Sequence, residues 1–176
     1  MKKITFFTSI LFAMCVSCIY ASDPVTVQEV DLSKYLGKWH EIARLPNAFE
    51  AADAQEITAT YSLNSDNTLR VENSCYVNGK LEKVVGVARI EDPKSKAKLG
   101  VSFFDILGFR PIWGDYWILG LGPNYSYSVV GDRARKYAWI LSRTPALGEK
   151  EMDEAITILK NNGFDVTRLL IVSKNK

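Results

Sequence analysis

The sequence predicts an all-β protein, an eight-stranded antiparallel up-and-down barrel with one C-terminal α-helix packed on the outside. Three observations carry this expectation. Eight short runs rich in β-branched and aromatic residues follow one another, separated by turn signals. Along them apolar and polar residues alternate, which gives each strand one apolar face. The period changes once, late in the chain, to that of a helix. Closing such a sheet removes its edges and leaves an interior wide enough for one small ligand.

The chain begins with an address rather than a strand. Met1-Lys2-Lys3 is a short basic start, Ile4 to Val16 is an almost unbroken apolar run, and small or polar residues lead to Ala21-Ser22-Asp23-Pro24. This is the plan of a secretory signal peptide over residues 1–21, too short for a stable span. A second reading stays open, in which Cys15-Val16-Ser17-Cys18 is a lipobox, residues 1–17 are removed and Cys18 is lipidated. In the first reading residues 22–176 form one domain. Both deliver the product to an oxidising compartment.

The strands are expected at 37–44, 56–63, 68–77, 84–90, 98–104, 116–121, 125–130 and 137–143. Asn64-Ser65-Asp66-Asn67 and Asn78-Gly79 are hairpin turns, Asp92-Pro93 is a breaker, and Gly122-Pro123-Asn124 and Gly131-Asp132 divide the last three. Leu69, Val71, Asn73 and Cys75 share one face, opposite Arg70, Glu72, Ser74 and Tyr76. Met152, Ala155, Ile156 and Leu159 recur at helical spacing, and Asn162-Gly163 stops the run, so a helix is expected over 149–161. A short strand at 168–172 closes the chain. No internal repeat or second domain is visible.

Composition excludes several classes of function. The 176 residues carry 22 Lys+Arg against 20 Asp+Glu, a formal charge of +2. Loss of residues 1–21 removes Lys2 and Lys3 with no acid, which brings that charge to zero. Electrostatic attraction to nucleic acid is therefore not expected. One His and three Cys do not suit a metal site, and none is expected. No phosphate-binding glycine loop is present, and no cofactor is expected. An outer-membrane barrel would need apolar residues on its outward face, the reverse of this pattern.

Tyr35-Leu36-Gly37-Lys38-Trp39-His40-Glu41-Ile42-Ala43-Arg44 resembles the Gly-x-Trp signature that opens the first strand of lipocalins. Ile140-Leu141-Ser142-Arg143-Thr144-Pro145 resembles their third signature. With Gly114-Asp115-Tyr116-Trp117 and Val101-Ser102-Phe103-Phe104, these segments resemble the bacterial lipocalins related to apolipoprotein D, over residues 31–172. One departure stands out: Leu121-Gly122-Pro123-Asn124-Tyr125-Ser126-Tyr127 carries Gly122 and Asn124 where the second signature usually has acids, which puts its turn hydrogen bonds in question.

The resemblance implies a barrel floor made by Gly37 and Trp39, with Arg143 stacked on the indole. Alternation and resemblance together nominate cavity residues: Glu41, Ala59, Tyr61, Val71, Asn73, Val84, Gly86, Val101, Phe103, Tyr116, Ile118, Trp139 and Leu141. Glu41 shares the inward parity of Trp39, as does Ala43. A carboxylate there needs a tyrosine or an Arg as partner, either to orient a ligand's head or as a structural hydrogen bond. His40, next to Trp39, points outward.

Alternate loops of an up-and-down barrel share one end, so those after the first, third, fifth and seventh strands ring the mouth. The fifth, Phe104-Asp105-Ile106-Leu107-Gly108-Phe109-Arg110-Pro111-Ile112-Trp113, is unusually apolar. It suits a lid, a contact between two copies in a homodimer, or a membrane-touching tip. Phe109 and Trp113 with Arg133, Arg135 and Lys136 of the seventh loop are the candidate rim residues. The expected function is binding, storage or transport of a fatty acid or a (lyso)phospholipid. The place is the bacterial cell envelope, in the periplasm or anchored to the outer membrane as a lipoprotein, the anchor or mouth loop contacting the membrane. Not being an enzyme is the preferred reading. Two others remain open: an enzyme using Cys75 as nucleophile, and an interaction module with a filled barrel.

Overall fold

The computed structural model describes residues 22–51 and 53–172. Residues 1–21, read above as a signal peptide or as a lipobox leader with Cys18, lie outside the described residues. Its strands are β1 (Gly37–Arg44), β2 (Gln55–Leu63), β3 (Leu69–Val77), β4 (Lys80–Ile90), β5 (Lys98–Ser102), β6 (Gly114–Leu121), β7 (Tyr127–Gly131) and β8 (Ala138–Ser142). Each pairs antiparallel with the next, and β8 and β2 both pair with β1, which closes the barrel. A short helix α1 (Leu32–Tyr35) precedes β1, helix α2 (Glu149–Asn161) follows β8, and the two-residue strand β9 (Leu170–Ile171) adds to β1.

Most strand ends lie within two residues of expectation, and four differences each have a local reason. Helix α1 was not expected; Asp31 caps it by accepting from Ser33 N. Strand β4 starts at Lys80, because the Asn78-Gly79 turn, with both residues at positive φ, pairs Lys80 directly with Val77. Strand β5 stops at Ser102, whose carbonyl accepts from Arg110 and whose hydroxyl donates to Phe104 O, so Phe103 and Phe104 leave the ladder. The last strand shrinks to two residues because Asp165 caps a 3₁₀ turn over Val166–Arg168.

Two bulges reset the alternation. On β1, Glu41 pairs with Leu141 and Ala43 with Ile140, which leaves Ile42 extra. Ile42 and Ala43 both join the outer core, and Arg44 turns inward opposite Trp139. The inward expectation for Ala43 is thereby corrected. On β6, Ile118 pairs with Val130 and Gly120 with Val129, which puts both Leu119 and Gly120 on the outside.

The protein thus has two cores. Inside, Val30, Tyr35, Trp39, Leu69, Leu99, Ile118 and Val130 seal the lower barrel. Outside, Ala155 and Leu159 of α2 pack with Trp117, Leu119, Val129, Ala138 and Ile140. The helix sits so close that a Cβ on Gly120 would lie 2.5 Å from Ile158 Cδ1.

Candidate ligand cavity

The cavity begins where the floor ends. The Arg143 guanidinium lies 3.6 Å from the centroid of the fully buried Trp39 indole. It also donates to the carbonyls of Lys38 at 2.8 Å and Lys34 at 2.6 Å. Trp39 Nε1 donates to Tyr35 O at 2.8 Å. Gly37 has φ +92, and a Cβ there would stand 3.6 Å from Arg143 Nη1. The three floor residues are brought together beneath the cavity, and none lines it.

The second-signature turn is held by its backbone. Gly122 N bonds to Tyr127 O and Tyr125 N to Gly122 O, with Asn124 at φ 51. Asn enters that left-handed region at little cost, so the acids missing there are not needed for the turn.

Above the floor is a chain of tyrosines. Tyr61 Oη donates to Tyr116 Oη at 2.8 Å; Tyr116 and Tyr35 hydroxyls are 2.7 Å apart, and Tyr35 and Ser128 3.0 Å. Burial pushes the phenols of all three tyrosines up, that of Tyr35 to about 12. They act as neutral hydrogen-bonding groups.

Over them opens a cavity of about 880 Å³, in the range of about 300–1,000 Å³ common for small-molecule sites. Of the nominated residues, Glu41, Ala59, Tyr61, Val71, Asn73, Val84, Val101, Phe103, Tyr116, Trp139 and Leu141 line it. Gly86 and Ile118 do not. A Cβ on Gly86 would be 2.6 Å from Phe103 Cδ1, so the Phe103 ring covers it; Ile118 is fully buried in the core. Cys75 lines the cavity, and its thiol is pushed up by burial and then by Glu82, Glu50 and Glu41, which lowers its thiolate fraction.

The polar side of the cavity was only partly legible. Arg44, freed inward by the Ile42 bulge, donates to Glu41 Oε1 at 2.8 Å and is ion-paired with Glu50 Oε2 at 2.9 Å. Glu50 Oε1 accepts from Trp139 Nε1 at 3.1 Å. Burial, then the Glu50 charge, raises the Glu41 carboxyl to about 8 against the opposing pull of Arg44. Phe49, Glu50 and Tyr137 line the cavity, and Arg44 is buried behind Glu41 and Glu50. Sequence reasoning missed Arg44, Phe49, Glu50 and Tyr137; a run of strand residues ending in an Arg hints at no bulge, and a loop's inward turn has no periodic signal. Asn73 Oδ1 is buried in the wall without a hydrogen-bond partner.

The mouth loops fall at one end. The fifth exposes Phe104, Ile106, Leu107, Phe109 and Ile112, with Leu107 fully in solvent. Phe109 stands outside the cavity, whereas Trp113 lines it with Arg89 at 4.1 Å from its ring. The basic residues of the seventh loop have partners that the sequence did not show. Arg133 pairs with Asp23 at 2.8 Å, and Arg135 donates to the carbonyls of Asn162 and Ser22. Lys136 stands 5.1 Å from the Tyr137 centroid. Arg133 and Arg135 clamp the N-terminal segment and the end of α2, and neither lines the cavity. Among the described residues no cluster suited to a metal ion occurs, and no helix is long and apolar enough to cross a membrane.

Comparison with known proteins agrees with this architecture. The family described as "Lipocalin-like domain" matches residues 30–174. The temperature-induced lipocalin-1 of Arabidopsis thaliana is 37% identical over 146 residues, 81% of this chain and 78% of its own. The outer membrane lipoprotein Blc of Escherichia coli K12 is 34% identical over 166 residues, 92% of this chain and 90% of its own. Apolipoprotein D of Rattus norvegicus is 32% identical over 154 residues, 83% of this chain and 78% of its own. Among solved structures, insecticyanin of the tobacco hornworm Manduca sexta superposes with a TM-score of 0.70 at 24% identity, over 89% of this chain and 87% of its own.

Proposed function

The chain belongs to the lipocalin family, and from that premise we propose that its barrel binds one fatty acid or lysophospholipid and stores or transports it in the cell envelope. Family membership supports binding and transport of a small hydrophobic ligand. The observation that carries the finer reading is a cavity with apolar walls that opens beneath an exposed apolar loop. Burying a chain contributes roughly 0.8 kcal/mol per methylene, on the order of 10 kcal/mol gross for a fatty-acid tail. Association costs of about 4–15 kcal/mol offset much of this. Affinity therefore depends on chain length and on contacts to the head.

The envelope location draws support from the E. coli relative's name, an outer membrane lipoprotein. Residues 1–21 are read as a signal peptide or, in the lipobox reading, Cys18 carries the lipid. Palmitate labelling of wild type against Cys18→Ser separates the two; equal labelling excludes a lipid on Cys18. Leu107 and Phe109 are read as a tip that touches the membrane during loading. The proposed role is non-catalytic.

The test is native mass spectrometry with lipid extraction on protein purified from its own envelope. A one-to-one adduct of a single-chain lipid is expected. Absence of lipid, together with failure to bind added fatty acid and lysophospholipid, contradicts the reading.

A further inference from the structure

Resting on the lipid-carrier reading, we propose that Phe49, Tyr137 and Trp139, with Glu50 and Asp132 beside them, form a subsite for an ammonium group. The barrel then prefers an amphiphile with an ammonium-bearing head to a free fatty-acid anion. The three rings form one cluster on the cavity wall near the mouth. Phe49 and Tyr137 centroids are 5.0 Å apart, Tyr137 and Trp139 6.3 Å, and Phe49 and Trp139 6.4 Å. Phe49 is 63% exposed, so the cluster keeps an open aromatic side toward the entrance. Aromatic faces carry negative electrostatic potential and attract ammonium groups.

Two carboxylates are bound to the ring-bearing residues themselves. Glu50 accepts from the Trp139 indole at 3.1 Å, and Asp132 accepts from Tyr137 N at 2.7 Å. Glu50 is ion-paired with Arg44, and Asp132 lies near Lys136. Of the charged residues that line the cavity, however, five are acids and one, Lys83, is a base, so a cation entering meets the rings and an excess of carboxyls. A carboxylate would instead add a negative charge beside Glu50 and Asp132.

The cations around the cavity are already engaged. Arg44 is held between Glu41 and Glu50, and Lys83 on the wall is held by Glu72 at 3.0 Å. Lys136 stands 5.1 Å from the Tyr137 centroid, so the ligand's ammonium is assigned to the exposed Phe49 side of the cluster. The remaining charged wall residues, Glu82 and Asp115, are acids.

The experiment compares three amphiphiles with the same twelve-carbon chain, below their micelle concentrations and near pH 7: dodecyltrimethylammonium, dodecanoate and monododecanoylglycerol. Binding is read by calorimetry for wild type, Phe49→Leu and Glu50→Gln. Phe49→Leu keeps apolar area at an exposed site, so its fold is not at risk. In wild type the ammonium is expected to bind about tenfold tighter than dodecanoate. Phe49→Leu should reduce that preference severalfold, with a smaller loss for the neutral glyceride than for the ammonium, and Glu50→Gln should reduce it further. Equal binding of all three by wild type overturns the subsite while leaving the carrier reading in place. So does a uniform loss for all three in Phe49→Leu. Binding of none overturns both.

Discussion

Arg44 Nη1 lies 2.8 Å from Glu41 Oε1, although the two are three residues apart on one strand and strict alternation would set them on opposite faces. The extra residue Ile42 makes the contact possible, and the price of an ionic group inside the barrel is met by pairing it with two carboxyls. Removing Arg44 leaves those carboxyls without their cation. Arg44→Met is expected to destabilise the fold by about 3–5 kcal/mol near neutral pH. Urea unfolding at several pH values checks this, and the loss should grow as pH rises through about 8, where the Glu41 carboxyl gives up its proton.

Glu41 itself makes stability depend on pH. Its carboxyl is raised from an ordinary 4.5 to about 8 by burial and Glu50. Between those values the folded state holds a proton that the unfolded state has released. Stability from this group is thus full below about 4.5 and falls as pH rises through 8. Glu41→Gln should flatten that slope and raise the melting temperature at pH 8 by a few degrees, on the order of 1 kcal/mol. An unchanged slope in the variant contradicts the assignment.

Arg143→Ala removes the guanidinium from the Trp39 face and three donated hydrogen bonds to the carbonyls of Lys34, Tyr35 and Lys38. A loss of about 2–4 kcal/mol is expected. Because the floor lies below the cavity, ligand affinity measured on the folded fraction should stay within about twofold. A large change in affinity at equal stability would place Arg143 in the binding site.

The helix seat is tested by Gly120→Ala. The new Cβ meets Ile158 Cδ1, and overpacking of this kind costs about 1–3 kcal/mol. Shortening the neighbour by Ile158→Val should recover part of the loss, so the double-mutant cycle should be non-additive. Additivity would mean that α2 sits farther from β6 than described.

Leu107→Ser with Phe109→Ser addresses the mouth loop. Both side chains are exposed and make little of the core, so the melting temperature should hold. Vesicle binding should fall by about tenfold, as expected when two inserted apolar side chains are lost. Unaltered vesicle binding removes the loop from membrane contact.

The sequence carried most of the barrel because strand alternation, the Asn78-Gly79 turn and the late helical period are local signals. Helix α2 begins and ends where its spacing and the Asn162-Gly163 stop place it. The wall residues Val71, Asn73, Val101 and Tyr116 followed from parity, each on a stretch of strand without a bulge. Parity failed where a strand bulges: Ala43 went out and Arg44 came in. It also said nothing of Phe49 and Glu50, which a loop folds over the mouth. The partners of the rim arginines were missed for another reason. Their partners, Asp23, Ser22 and Asn162, are distant in sequence and adjacent only in the fold.

The central claim is that the barrel's interior is the binding site. Delipidated protein titrated with the neutral fluorescent probe N-phenyl-1-naphthylamine tests it, with Ala59→Phe as the variant that fills the wall. Ala59 faces the cavity opposite Trp39 and Asn73 on its neighbouring strands. Saturable binding at one probe per chain is expected for wild type, lost or weakened at least tenfold in a folded Ala59→Phe. Binding that the filled variant retains in full, or none by wild type, would contradict the account.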